Sequence, residues 1–196
     1  MNYFEVFGLP RKLAIDVDAL QKRFYELSRQ HHPDFHQAAP PAEQARALEA
    51  SALVNAAYRA LRDPISRIEY LVRLEEGRDT KEGAAVKPKA PPELLEEMFE
   101  IQETLQEARA GGLTAEGRDR LTAERDRLAA RRAEEEERLR GDLSRRWDGA
   151  GPGERAAVLA AFKDALATRA YFRTVIDDLT AALDESQDGH VTHHRH

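Results

Sequence analysis

From Leu20 onward, apolar side chains recur at Phe24 and Leu27, with His31 beyond, at spacings of 4, 3 and 4. That period marks one buried face of an α-helix. The helix is predicted to open near Asp16 or Asp18, either of which can cap it, and to run to the residue before Pro33. A shorter helix precedes it, beginning after Asn2 and ending by Gly8, since Pro10 cannot continue it. Beyond "AAPP" a third helix is expected from about Ala42 to Leu61, with Val54, Ala57 and Leu61 on its inner face. Asp63 can cap a fourth, Pro64 suits its first position, and Ile65, Ile68, Leu71 and Val72 line its buried side to near Gly77.

The pattern then breaks. Residues 77–92, "GRDTKEGAAVKPKAPP", carry the Lys, Pro and Gly content of a linker. After it come longer helices. Leu94, Met98, Ile101, Leu105 and Ala108 form a stripe that stops at Gly111 and Gly112. Thr114 can cap the next helix, which carries Leu121, Leu128, Leu139, Leu143 and Trp147 as far as "GAGPG". Pro152 can begin a last helix through Val158, Phe162, Leu166, Val175, Leu179 and Leu183. The predicted fold is all-α: a four-helix unit over 1–76, a linker over 77–92 and a three-helix antiparallel bundle over 93–185. The tail from 186 to 196 holds four histidines and reads as a disordered end. No internal repeat is visible.

Composition removes several functions. A formal charge of −6 in 196 residues argues against a general nucleic-acid binder. The absence of cysteine excludes disulfides, thiolate metal sites and cysteine nucleophiles. No apolar run reaches membrane-spanning length, and "MNYFEVFGLP" lacks the features of a signal peptide, so a soluble, cytoplasmic protein with no membrane contact is expected.

The candidate chemistry lies in "RQHHPDFHQ", residues 29–37. His32 and His36 are four apart, the spacing of a helical metal pair. Pro33 lies between them and ends the helix, so the pairing geometry is lost. His32 and Asp34 could form a dyad, yet no nucleophile, phosphate-cradling loop or paired acid accompanies them. The expectation is therefore no metal, no cofactor and no enzyme activity, with a His-cluster metallohydrolase as the contrasting class.

The setting of His32, Pro33 and Asp34, at the end of one helix and before another, resembles the J domain, the module that stimulates ATP hydrolysis by DnaK-type chaperones. "NYFEVFGLP" and "ASALVNAAYRALRDPISRIEYLV" are similar to the HscB (Jac-type) iron–sulfur co-chaperones, through Asn55, Tyr58, Leu61, Asp63, Pro64, Arg67, Tyr70 and Leu71. This resemblance covers the first 75 residues. It implies a J domain whose His32-Pro33-Asp34 loop contacts a DnaK/HscA-type chaperone. Lys22, Arg23 and Arg29 on the preceding helix either steer toward an acidic chaperone surface or form an ordinary solvated face, and Glu26 interrupts them. The family's second domain binds an IscU-like iron–sulfur scaffold protein. The matching positions here are Leu95, Glu96, Phe99, Glu100 and Glu103, with Tyr171 or Phe172 from the last helix. Leu95 and Phe99 can be partner contacts or seam residues of the bundle. Glu96 departs from the family, which usually has an apolar residue there. A general J-domain adaptor, its bundle serving another client or oligomerisation, is the nearest alternative.

Overall fold

The computed structural model describes residues 1–78, 94–111 and 113–191, with the side chains of 108–111 and 185–191 outside that description. The described residues are helical and contain no strand. Most of the predicted linker and the end of the tail, 192–196, lie outside them.

Helix α1, Tyr3–Val6, opens on a capping box: Asn2 accepts from the Glu5 N–H, and the Glu5 carboxylate accepts from the Asn2 N–H. Gly8, at φ +68°, supplies the left-handed turn that follows. Asp16 caps α2, Val17–Gln30, by accepting the Ala19 N–H at 3.0 Å. This helix ends two residues before the expected limit, because His32 is already drawn into extended backbone ahead of Pro33. Helix α3, Pro41–Arg62, and α4, Pro64–Glu75, meet at Asp63, whose side chain accepts the Ser66 N–H. Gly77 at φ +64° closes α4, with the Arg78 N–H bonded back to the Arg73 carbonyl.

In the second half, α5 spans Leu95–Gly111 and α6 spans Ala115–Arg138, where Thr114 accepts the Gly117 N–H as predicted. The helix through Trp147 is not uniform. A π-turn, Leu139–Leu143, separates α6 from α7, Ser144–Gly149, and the Ser144 hydroxyl donates to the Leu139 carbonyl it frees. The last helix, α8, begins at Arg155 rather than Pro152 and continues to Val191.

Two compact units result. One groups residues 1–78 with Leu139–Phe162; the other groups residues 94–138 with 163–191. The first unit thus includes a segment that the sequence pattern alone assigns to the bundle. Its core buries Phe4, Leu61, Leu71, Leu143, Trp147 and Phe162, each fully apolar burial of this kind contributing roughly 1.5–3 kcal/mol. Tyr3 stacks on Tyr70 at 4.3 Å and donates its N–H to the Tyr70 hydroxyl. Burial raises the Tyr70 phenol pKa, while the Tyr3 backbone N–H opposes the shift.

Polar groups finish the fastening. Arg67 is buried, and its guanidinium donates to the carbonyls of Leu61 and Leu13. Burial lowers its pKa, opposed by Asp63 and Asp148. The Asp148 carboxylate in turn accepts the N–H groups of Leu13 and Ala14, at 2.7 and 2.8 Å. Asp148→Ala leaves both donors without that partner and is expected to destabilise the first unit by about 1–3 kcal/mol. Urea unfolding of the full chain, followed by the single tryptophan at 147, reads that unit directly. A midpoint equal to the parent's would remove this role from Asp148.

The second unit is three helices around one cluster, in which Ile101, Leu105, Leu121, Leu128, Val175 and Leu179 are buried. Among the described residues, no helix is long and apolar enough to cross a membrane.

Candidate functional site: the His-Pro-Asp turn and an exposed helix face

Pro33 sits at the first position of a single 3-10 turn, Pro33–His36, where its missing N–H costs nothing. His32 is the cap: its Nδ1 accepts the Asp34 N–H at 3.3 Å, and its carbonyl accepts the Phe35 N–H. The ring and the Asp34 carboxylate lie 3.6 Å apart, and the Asp34 side chain is 71% exposed. The sequence-predicted trio is therefore brought together with imidazole and carboxylate side by side and exposed, and Nδ1, already the acceptor of the Asp34 N–H, leaves the carboxylate free of a bond from the ring. Phe35 beside it is also exposed, its ring edge-on to His32. With Ser28 and Arg29 these residues line an open depression, and the Ser28 hydroxyl is buried there with no partner.

The turn is tied at its far end. Gln44 of α3 donates its side-chain amide to the carbonyls of Gln37 and Ala39, at 3.1 and 2.8 Å. Gln37 donates to the Asp34 carboxylate at 3.3 Å. His36 turns its Nε2 to the Gln30 carbonyl, at 3.1 Å.

On α2, Lys22, Arg23 and Arg29 are all exposed. They are not equivalent, because Arg23 is paired with Glu26 at 2.9 Å. Tyr25, which sequence reasoning passed over, stands exposed between Lys22 and Arg29 at spacings of 3 and 4. The inward direction of Phe24, stacked on Tyr58 at 4.1 Å, was the available signal for it.

In the second unit, α5 and Leu94 just ahead of it separate their apolar residues into two sets. Leu94, Ile101 and Leu105 are buried and Met98 packs against them. Leu95 and Phe99 are 42% and 68% exposed, so neither is a seam residue. Glu96, Glu100 and Glu103 stand exposed beside them. Glu97, not anticipated from the sequence, turns the other way and binds Arg127 and Arg131 of α6. Arg131 also lies over the Phe172 ring at 4.9 Å, so one cation joins all three helices.

Tyr171 and Phe172 are a correction. They are 7% and 2% exposed and belong to the core of this unit, not to its surface. Phe172, Val175, Leu179 and Leu183 follow helical spacing, and their burial turns Tyr171 inward with them. Burial raises the Tyr171 phenol pKa, against the opposing charge of Arg131. Glu124 is likewise raised by burial, opposed by Arg131 and reinforced by Glu100.

Residues 2–70 match the family model for the DnaJ domain. Among solved structures, the chain is similar to Chaperone HscB from Vibrio cholerae, with 26% identity and a TM-score of 0.59 over 94% of this chain and 99% of that one. It also shares the fold of the human co-chaperone protein HscB, with 22% identity and a TM-score of 0.56 over 95% of this chain and 82% of that one.

Proposed function

This chain is a J-domain protein of the HscB type, and on that premise we propose that it stimulates ATP hydrolysis by a DnaK/HscA-type chaperone and delivers an IscU-like iron–sulfur scaffold protein to it. It has no catalytic role of its own in this reading and works in the cytoplasm. The observation that carries it is the His32-Pro33-Asp34 turn, with the Asp34 carboxylate held outward on stiffened backbone. A proline-fixed turn presents charge at low conformational cost to a partner's cationic group. Lys22 and Arg29 supply long-range attraction to an acidic chaperone surface, and Tyr25 between them adds apolar contact area. The partner for the scaffold is the exposed α5 face, where Leu95 and Phe99 are apolar anchors within an acidic rim of Glu96, Glu100 and Glu103.

Steady-state ATP turnover by an Hsp70-type chaperone, with this protein and with the candidate scaffold added in turn, tests both halves. The expected result is stimulation by the co-chaperone that rises further with the scaffold. No stimulation under any combination would reject the reading. Stimulation without any scaffold effect would leave a general J-domain adaptor.

Reversing both Lys22 and Arg29 to glutamate is expected to slow association with the chaperone and flatten its salt dependence, because steering charges act mainly on the on-rate. Stopped-flow association at several ionic strengths reads this out. An unchanged salt profile would make these two cations ordinary solvated charge.

A further inference from the structure

The third histidine of "HHPDFH" has no part in the contact surface above, but its surroundings are specific. His36 ends the 3-10 turn, two residues after Asp34, and its side chain is three-quarters buried. Its Nε2 lies 3.1 Å from the carbonyl of Gln30, the last residue of α2. A carbonyl only accepts, so Nε2 carries the hydrogen and donates it. That carbonyl is one of the terminal acceptors that a helix cannot satisfy by itself. The opposite ring nitrogen, Nδ1, faces the Glu43 carboxylate in the first turn of α3, at 3.9 Å. The Nε2–H bond thus closes the chain from the last residue of α2 to the last residue of the turn, with the His-Pro-Asp trio inside the loop, while Nδ1, carrying no hydrogen, makes no bond to Glu43.

We propose that His36 is a positioning residue: its imidazole ties the end of the 3-10 turn back to the Gln30 carbonyl at the end of α2 and so holds Asp34, between them, in the orientation that engages the chaperone. The proposal rests on the reading that this turn stimulates a chaperone. Gln44 secures the other end of the same loop through Gln37 and Ala39, so losing His36 frees one end without detaching the whole segment. Small misplacements of an acting group are costly in rate, while binding through the separate α2 face is spared.

The test uses the full chain in two measurements. In the free protein, His36→Ala should raise amide hydrogen exchange at Asp34 and Phe35 about tenfold, the effect of losing one ordinary hydrogen bond, with the Leu71 amide unchanged. In chaperone ATPase, its maximal stimulation at saturating concentration should fall about tenfold while the concentration for half-effect stays within about twofold. His36→Gln, whose side-chain amide can replace Nε2–H as donor to Gln30, should restore most of both. Parental exchange and parental stimulation in His36→Ala would overturn the proposal. So would lost stimulation with unchanged exchange, which makes His36 a direct contact, or faster exchange that includes Leu71, which makes it a general stability residue. If the parent itself fails to stimulate, the chaperone reading falls, and with it the role assigned to His36, while the exchange data still report whether the clamp exists.

Discussion

Asp34→Asn is expected to abolish stimulation of chaperone ATP turnover while leaving the helical signal and the unfolding transition almost unchanged. The substitution removes a charge from a side chain that is 71% exposed, at a site where surface changes shift stability by about 0.5 kcal/mol or less. The geometry of the turn survives it. His32 still accepts the backbone N–H of residue 34, Pro33 still fixes the first position, and the side-chain oxygen of Asn can still accept from Gln37. What disappears is the negative charge available to a cationic partner group. A charge-assisted hydrogen bond is about twice as strong as its neutral counterpart. A mutant that stimulates ATP turnover like the parent would remove the co-chaperone mechanism from this turn.

Truncating Leu95 and Phe99 together to alanine is expected to eliminate scaffold binding with no loss of thermal stability. A few apolar anchors usually carry an interface, each costing about 2 kcal/mol or more when removed. The two side chains are 42% and 68% exposed, so their loss opens no cavity in the core of the unit. Leu94→Ala is the internal control. That side chain is 5% exposed, and its truncation should cost roughly 2–5 kcal/mol and lower the melting temperature of the full chain sharply. Calorimetric titration with the scaffold and thermal unfolding of the same samples decide the matter. A double variant that melts normally and still binds would reject this face as the docking surface. One that melts far below the parent would return both residues to the fold.

The helices of the first 76 residues could be read to within about two residues of their ends. Their ends are written in local chemistry: Asn2 with Glu5, Asp16, Asp63 before Pro64, and Gly77 each cap or stop a helix through contacts only a few residues long. The His-Pro-Asp turn belongs to the same class, because Pro33 restrains His32 whatever surrounds it. Local interactions need no knowledge of the rest of the chain, and so the amino-acid sequence by itself determined the all-α character, the caps and the outward turn.

Which side chains face which neighbour was another matter. Leu94, Leu95, Met98 and Phe99 spread apolar character around much of α5, and periodicity cannot choose a seam within so wide an apolar arc. Contact with α6 and α8 made the choice, taking Leu94 and Met98 inward and leaving Leu95 and Phe99 to solvent. Tyr171 and Phe172 are adjacent, and adjacent helical residues point about 100° apart. Both are nevertheless buried, because α8 packs into a cluster shared with two other helices. The placing of Leu139–Phe162 beside the N-terminal helices joins distant parts of the chain, and Asp148 caps Leu13 and Ala14 across more than a hundred positions. The direction of His36, toward the Gln30 carbonyl six residues back, is likewise set by how α2 and the turn meet in space. Such pairings depend on how helices meet in space, which no local pattern encodes, and only the tertiary structure decided them.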